Sequence, residues 1–181
     1  MIVWEVIRHK QPKVQWHRTV LGALSIPKQS FITWLVVLNR LPTKDRMLKW
    51  GCQVEATCIL CGIELESRDH LFWACSYSRR VWGMVVQACG VQLLHNSWDD
   101  LLGWIQRAGK GKTLKATIVR LAWNSFNYYV WMERNGRLHQ KEPKLDAEVF
   151  DLIKHDFKWR LLGCRRCSFP GSCIAEAWGL Q

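Results

Sequence analysis

No apolar run in this 181-residue sequence approaches the roughly 20 residues that a membrane-spanning helix needs. The longest, such as FITWLVVL at 31–38, stop well short. The opening MIVWEVIRHKQPK does not read as a secretory leader either, because Glu5 interrupts its few apolar residues before basic charge returns. There is no internal repeat, no low-complexity tract and no convincing run of alternating strand pattern. Acidic residues are scarce, 15 against 26 lysines and arginines. These absences exclude membrane-spanning and repeat architectures and point to an intracellular chain, nuclear or cytoplasmic. In that setting eight cysteines stay reduced, and serve as metal ligands or packing residues rather than as disulfides.

What is present suits one folded domain. Hydrophobic residues make up 49% of the chain, enough for a packed core. Twelve tryptophans belong mostly to that core, since each buries a large apolar area. A few exposed ones would suit stacking on nucleic-acid bases, but the sequence does not single them out. The net charge of +11 favours polyanions, most simply nucleic acid, with an acidic membrane surface second. A basic surface that is merely solvated remains the alternative.

The periodicity is helical. Phe31, Trp34, Leu35, Leu38 and Leu41 recur at helical spacing and predict one apolar face. Pro42 stops that helix, and Thr43 is placed to cap a second one carrying Met47, Leu48 and Trp50, although Arg46 stands where a capping box wants Glu or Gln. Farther on, Val81, Trp82, Val85, Val86 and Cys89 share a face that ends at Gly90. Ser97 is a natural N-cap, with Asp100 three residues on, and the adjacent Asp99 and Asp100 read as a helix start. RAGKGK at 107–112 is a break and lacks the full phosphate-loop pattern. A long helix runs from Leu114 to about Met132, with Asn135-Gly136 expected to end or kink it. A last helix carries Val149, Leu152, Ile153, Phe157 and Leu161 and closes at Gly163.

Between the second and third helices lies CILCGIELESRDHLFWAC, in which Cys58, Cys61, His70 and Cys75 form a Cys-x2-Cys-x8-His-x4-Cys pattern. Thiolates and imidazole are the ligands that tetrahedral zinc prefers, and Cys-x2-Cys is the spacing of a metal knuckle. Gly62 supplies the backbone freedom such a turn requires. His70 and Cys75 both reach the ion if the HLFWAC helix tightens or breaks at Ser76, which would then cap the next helix. Four protein ligands leave no open position for water or substrate, so the zinc is structural. Glu66 therefore has nothing to activate, and reads as a surface residue or a support to the ligands. Chance clustering of buried cysteines with a capping histidine is the competing reading. Near the end, Cys164, Cys167 and Cys173 with His155 upstream leave a second metal open. That cluster lacks the knuckle glycine and a well-placed fourth ligand. Cys52 and Cys89 read as packing residues.

With those residues in hand, the chain resembles the reverse transcriptase zinc-binding domain that follows the polymerase in plant LINE-type (non-LTR) retrotransposons. IPKQSFITW and RLPTKDRML precede the knuckle, which continues through CILCG, ES, HLFWAC and the Val81-Trp82 pair. WMERNGR (131–137) and AWGL (177–180) are similar to downstream features of the same proteins. The resemblance implies Cys58, Cys61, His70 and Cys75 as ligands of one structural zinc. It also implies an accessory role, because the Tyr-x-Asp-Asp motif of a polymerase is absent, and two-metal chemistry needs a carboxylate constellation. The chain reads as a detached piece of such an element, a remnant or a stand-alone domain.

The expected fold is mainly α, a small helical domain over 1–163 with a CCHC zinc knuckle at 58–75 inserted between helices, followed by a Cys-containing tail at 164–181. The expected function is non-catalytic binding of RNA or target DNA. Arg40, Lys44, Arg46, Lys49, Arg79, Arg80, Lys110, Lys112 and Lys115 are the candidate contacts, and their combined number makes the case rather than any one of them. The alternative is a protein-interaction module, docking on a reverse transcriptase polypeptide or self-associating through an exposed apolar patch, or a retroelement remnant with no independent function. No membrane partner is expected.

Overall fold

In a computed structural model, residues 14, 16–22, 24–91, 97–163 and 177–179 are described. Seven helices follow in chain order among them: α1 (His17–Val20), α2 (Pro27–Val37), α3 (Lys44–Lys49), α4 (Ser76–Ala88), α5 (Trp98–Ala108), α6 (Leu114–Leu138) and α7 (Asp146–Leu162). A π turn, His70–Ala74, precedes α4. No strand occurs among the described residues, only an isolated antiparallel bridge between Thr57 and Leu65.

Helix α6 is the axis of the fold. Thr113 caps it by accepting from Ala116 N, and at 1.5 Å per residue its 25 residues span about 37 Å. Residues 116–127 are all buried, a pattern that only a helix surrounded by others can show. Helices α2, α5, α4 and α7 pack around it. Trp82 of α4 and Trp98 of α5 each place their ring centroids 5.6 Å from Trp123 of α6, and Trp82 meets Phe126 at 4.9 Å. Val81, Trp82, Val85, Val86 and Cys89 are all buried, as their spacing predicts. Gly90 closes α4 at φ +64°, and Ser97 Oγ accepts from Asp100 N at 3.1 Å.

Three local expectations are corrected. Asn135-Gly136 does not end α6. Arg137, beyond the pair, is tied to Glu133 four residues back at 2.8 Å, and the helix stops only at Leu138, with Gln140 at φ +58°. Helix α2 buries a mixed face and not the expected apolar stripe alone: Gln29, Ser30, Thr33 and Val36 are buried, Leu35 packs against the core and Leu41 beyond the helix is buried, while Phe31 is 55% exposed. The reason is hydrogen bonding. Ser30 donates to Val20 O, Gln29 donates to Asp156 and accepts from Ser125, and Asn124 reaches Thr19 O and Val20 O. With Gln29 and Ser30 partnered in this way, burying them costs little. Third, Cys52 is exposed rather than packed, because it lies in the open stretch that follows α3.

The last helix buries Val149, Ile153, Phe157 and Leu161, as read, with Leu152 at the edge of the face. Trp178 lies against this helix, its ring stacked on Phe157 at 3.9 Å between centroids.

Candidate metal centre

The knuckle is built by short-range backbone bonds. Cys58 N donates to Glu64 O at 2.7 Å, Gly62 N to Cys58 O at 2.8 Å, and Glu66 N to Ala56 O at 2.9 Å. This folds 56–66 back on itself around the Thr57–Leu65 bridge. Gly62 sits at φ +68°, with nothing within 4 Å of where a Cβ would stand. The glycine is there for its backbone conformation, not for space. Ser67 Oγ then accepts from His70 N at 3.1 Å, starting the π turn that carries His70 inward. The turn breaks at Cys75, whose ψ of 127° is not helical. Cys75, and not Ser76, is the N-cap of α4.

Four ligand atoms, one each from Cys58, Cys61, His70 and Cys75, lie within 4.8 Å of one another. Cys58 and Cys75 sulfurs are 4.0 Å apart, and Cys61 Sγ is 3.3 Å from His70 Nε2. Tetrahedral zinc, with bonds of about 2.0–2.3 Å, sets its ligand atoms roughly 3.3–3.8 Å apart, so the group needs only a small contraction to hold it. Cys58 and Cys75 are fully buried, and His70 nearly so. The hydrogen bond from Cys58, backed by Ser78 and Tyr77 N–H groups, pulls the Cys75 thiol down, while the same bond and burial push the Cys58 thiol up. Two adjacent buried thiols thus resist losing both protons, and a divalent cation removes that resistance. Donor chemistry, spacing and burial all fit one structural zinc.

Two glutamates surround the centre, and they do different things. Glu64 Oε2 is 3.2 Å from His70 Nδ1, on the far side of the ring from Cys61; the pair lies outside strict hydrogen-bond alignment. Glu66 is the larger correction, because it is neither a surface residue nor a contact of the ligands. Its carboxylate is 1% exposed and forms an ion pair with Arg134 of α6, Nη2 to Oε1 at 2.7 Å and Nε to both oxygens at 3.1 and 3.3 Å. The same Oε1 accepts from Lys44 N at 3.0 Å, while Glu66 O accepts from Asp45 N. The acceptor missing from the local sequence at the start of α3 is supplied from 22 residues away. Arg137 adds a second tie from α6, donating to Leu60 O at 3.2 Å.

The basic candidates separate into groups. Lys44 is withdrawn from any surface: it is buried, and its ammonium donates to Thr57 O at 2.6 Å. The start of α3 is wedged against the knuckle, which leaves that side chain no route to solvent. Arg40 and Lys49 are exposed. Arg46 is half-buried, lies over the Trp50 ring at 5.2 Å and donates to Asn39 O. Arg79 is exposed over Trp73 at 5.9 Å, whereas Arg80 is paired with Asp146. Lys110, Lys112 and Lys115 are exposed at the other end of α6. Lys115 and Arg134 are 19 positions apart on that helix, about 28 Å, so the nine residues do not form one patch. Asp99 and Asp100 occupy the exposed first turn of α5, as their reading as a helix start predicts.

The second cysteine cluster, Cys164, Cys167 and Cys173, lies outside the described residues. His155 is exposed on α7, and its Nε2 accepts from Trp159 Nε1 at 2.9 Å.

No curated protein and no solved structure matches the chain. A family model described as "zinc-binding in reverse transcriptase" matches residues 2–82. That span contains α1 to α3, the complete Cys3His group, the π turn and the start of α4, and it ends at Trp82 in the core. Residues 2–82 therefore match a zinc-binding domain of reverse transcriptases, which is an accessory domain of those enzymes and not their catalytic core.

Proposed function

We propose that the protein is a non-catalytic module in which structural zinc organises a nucleic-acid-binding surface. The observation that carries the proposal is positional. The knuckle lies between the Arg40–Lys49 stretch, which it grips through Glu66 and Thr57, and Arg79, which follows the ligand Cys75 by four residues. Against the net charge of +11, Arg40 and Lys49 make no ion pair among the described residues, so their charge faces solvent. Lys110, Lys112 and Lys115 form a second cationic end, and about 28 Å along α6 corresponds to roughly eight base pairs of duplex.

The test is titration of the zinc-loaded protein with structured RNA and duplex DNA at low and moderate salt. Each phosphate neutralised adds about 0.9 to the slope of log K against log salt on a duplex, so four or five contacts give a fall of roughly 150- to 500-fold between 50 and 200 mM. Chelating the zinc weakens binding and flattens the slope. An unchanged slope after chelation refutes the organising role of the knuckle, and salt-insensitive binding refutes the nucleic-acid reading itself. Nucleotide incorporation and strand cleavage stay at background with any divalent ion.

One observation favours a second reading, a protein-contact module: Phe31 of α2 is exposed. Association through it would persist or strengthen in salt.

A further inference from the structure

Trp50 is 57% exposed, while Trp82, Trp98, Trp123, Trp131 and Trp178 are all buried in the core. A tryptophan this open contributes little to the fold and presents most of its ring to solvent. Its surroundings are specific. The Arg46 guanidinium lies over the ring at 5.2 Å and also donates to Asn39 O at 2.6 Å. The cation is therefore held at the ring before any ligand arrives. Arg40 adjoins Asn39, and Lys49 adjoins Trp50. Both are exposed without an ion pair among the described residues. The acid of α3, Asp45, accepts from Thr43 Oγ1. The result is an exposed ring that carries one guanidinium, in a stretch of chain with two further exposed cations.

We infer that Trp50 and Arg46 form a stacking subsite for an unpaired base of single-stranded nucleic acid, with Arg40 and Lys49 taking the flanking phosphates. This deepens the proposed function and rests on it. A base offers a π-face to the ring and a phosphate to each side. A duplex keeps its base faces inside the stack and can offer this surface only phosphates. A protein ligand would need a carboxylate for each flanking cation. The stack is held to the metal centre through α3, whose first turn is fixed by Glu66.

The experiment is fluorescence anisotropy of the zinc-loaded full chain with four probes: a single-stranded oligothymidylate, an oligouridylate of equal length, a matched duplex, and an abasic strand with the same number of phosphates. Trp50→Ala is expected to weaken both single strands by roughly 5- to 150-fold, the range for loss of one base–aromatic stack. Its salt slope stays at the parent value, since no phosphate contact is lost, and binding of the duplex and abasic strand is unchanged. Trp50→Phe retains most of the affinity. Trp50→Leu, which keeps apolar cover on α3, loses it as Ala does. Arg40→Ala/Lys49→Ala instead lowers the single-strand slope by about 1.4, two phosphates at roughly 0.7 each. A response confined to the RNA or to the DNA probe upholds the subsite and assigns its sugar preference. Equal weakening of all four probes shows that Trp50 supports the surface rather than stacking, and overturns the inference. Unchanged single-strand binding by both Ala and Leu variants overturns it too while the proposed function stands, as does loss of self-association with no change in nucleic-acid affinity. Absence of salt-sensitive binding to any probe removes the proposed function as well, so the two failures are distinguishable.

Discussion

Replacing Arg134 with Met is the sharpest test of how the metal centre is joined to the helices. The Glu66 side chain is fully buried, and Arg134 supplies three hydrogen bonds to it. Without the guanidinium, the carboxylate keeps only the Lys44 N–H. Stranding one member of a buried ion pair costs about 3–5 kcal/mol, set against a total stability of roughly 5–15 kcal/mol for a domain. Glu66→Gln keeps an acceptor for Lys44 N but strands the guanidinium, so it costs a similar amount. The double variant Glu66→Gln/Arg134→Met removes both charges and recovers most of the loss, since a neutral pair of similar volume can match a buried ion pair. Arg80→Ala is the control. Arg80 and Asp146 form an ion pair at the surface, where such pairs contribute about 0–1 kcal/mol. The assay is urea unfolding at fixed excess zinc, followed by tryptophan fluorescence and far-UV circular dichroism. If Arg134→Met costs less than about 1 kcal/mol, or if the two substitutions simply add, the pair is not the clasp described above.

Three further outcomes are expected. Elemental analysis finds one zinc per chain bound by the described group, and Cys75→Ala loses it while a Cys52→Ala control keeps it. Glu64→Ala, which removes the carboxylate 3.2 Å from His70 Nδ1, weakens zinc retention by up to roughly 10-fold in chelator competition, the low end of the effect of losing a group beside a ligating histidine, while the cobalt-substituted protein keeps its tetrahedral spectrum. In alkali, burial holds the Cys89 thiol up at about 12 against an ordinary 9, and burial likewise raises the Tyr77 hydroxyl to about 12 from 10. The unfolded chain releases these protons first, so their contribution is intact below about pH 9 and is lost as pH rises toward 12. Cys89→Ala should flatten the first part of that decline in pH-dependent urea midpoints.

The ligand set was legible because zinc imposes spacing on a short stretch of chain: Cys58, Cys61, His70 and Cys75 could be read from the sequence alone. The α4 face, the Ser97 cap and the Gly90 stop were legible for the same local reason. What escaped was decided by partners distant in sequence. Nothing near Glu66 announces Arg134, which is 68 positions away, so a buried carboxylate passed for a surface one. Lys44 reads as a free cation until Thr57 is folded against it. Helix α2 misled because apolar periodicity assumes that polar side chains need water, whereas Gln29 and Ser30 find their partners on other helices. The Asn135-Gly136 break failed because the tertiary ties of Arg134 and Arg137 outweigh a weak local signal.

The Glu66–Arg134 pair also bears on how this domain could travel between proteins. The zinc ligands are contiguous and the matched span ends at residue 82, so the knuckle has the look of a portable cassette. Yet a recombination that moved residues 2–82 into another chain would carry a carboxylate shaped for burial and leave its counterion behind in α6. The new host would have to supply a cation at that spot, or neutralise the glutamate, before the cassette was stable. The unit that folds stably is therefore larger than the unit that binds metal, and it reaches at least to Arg134.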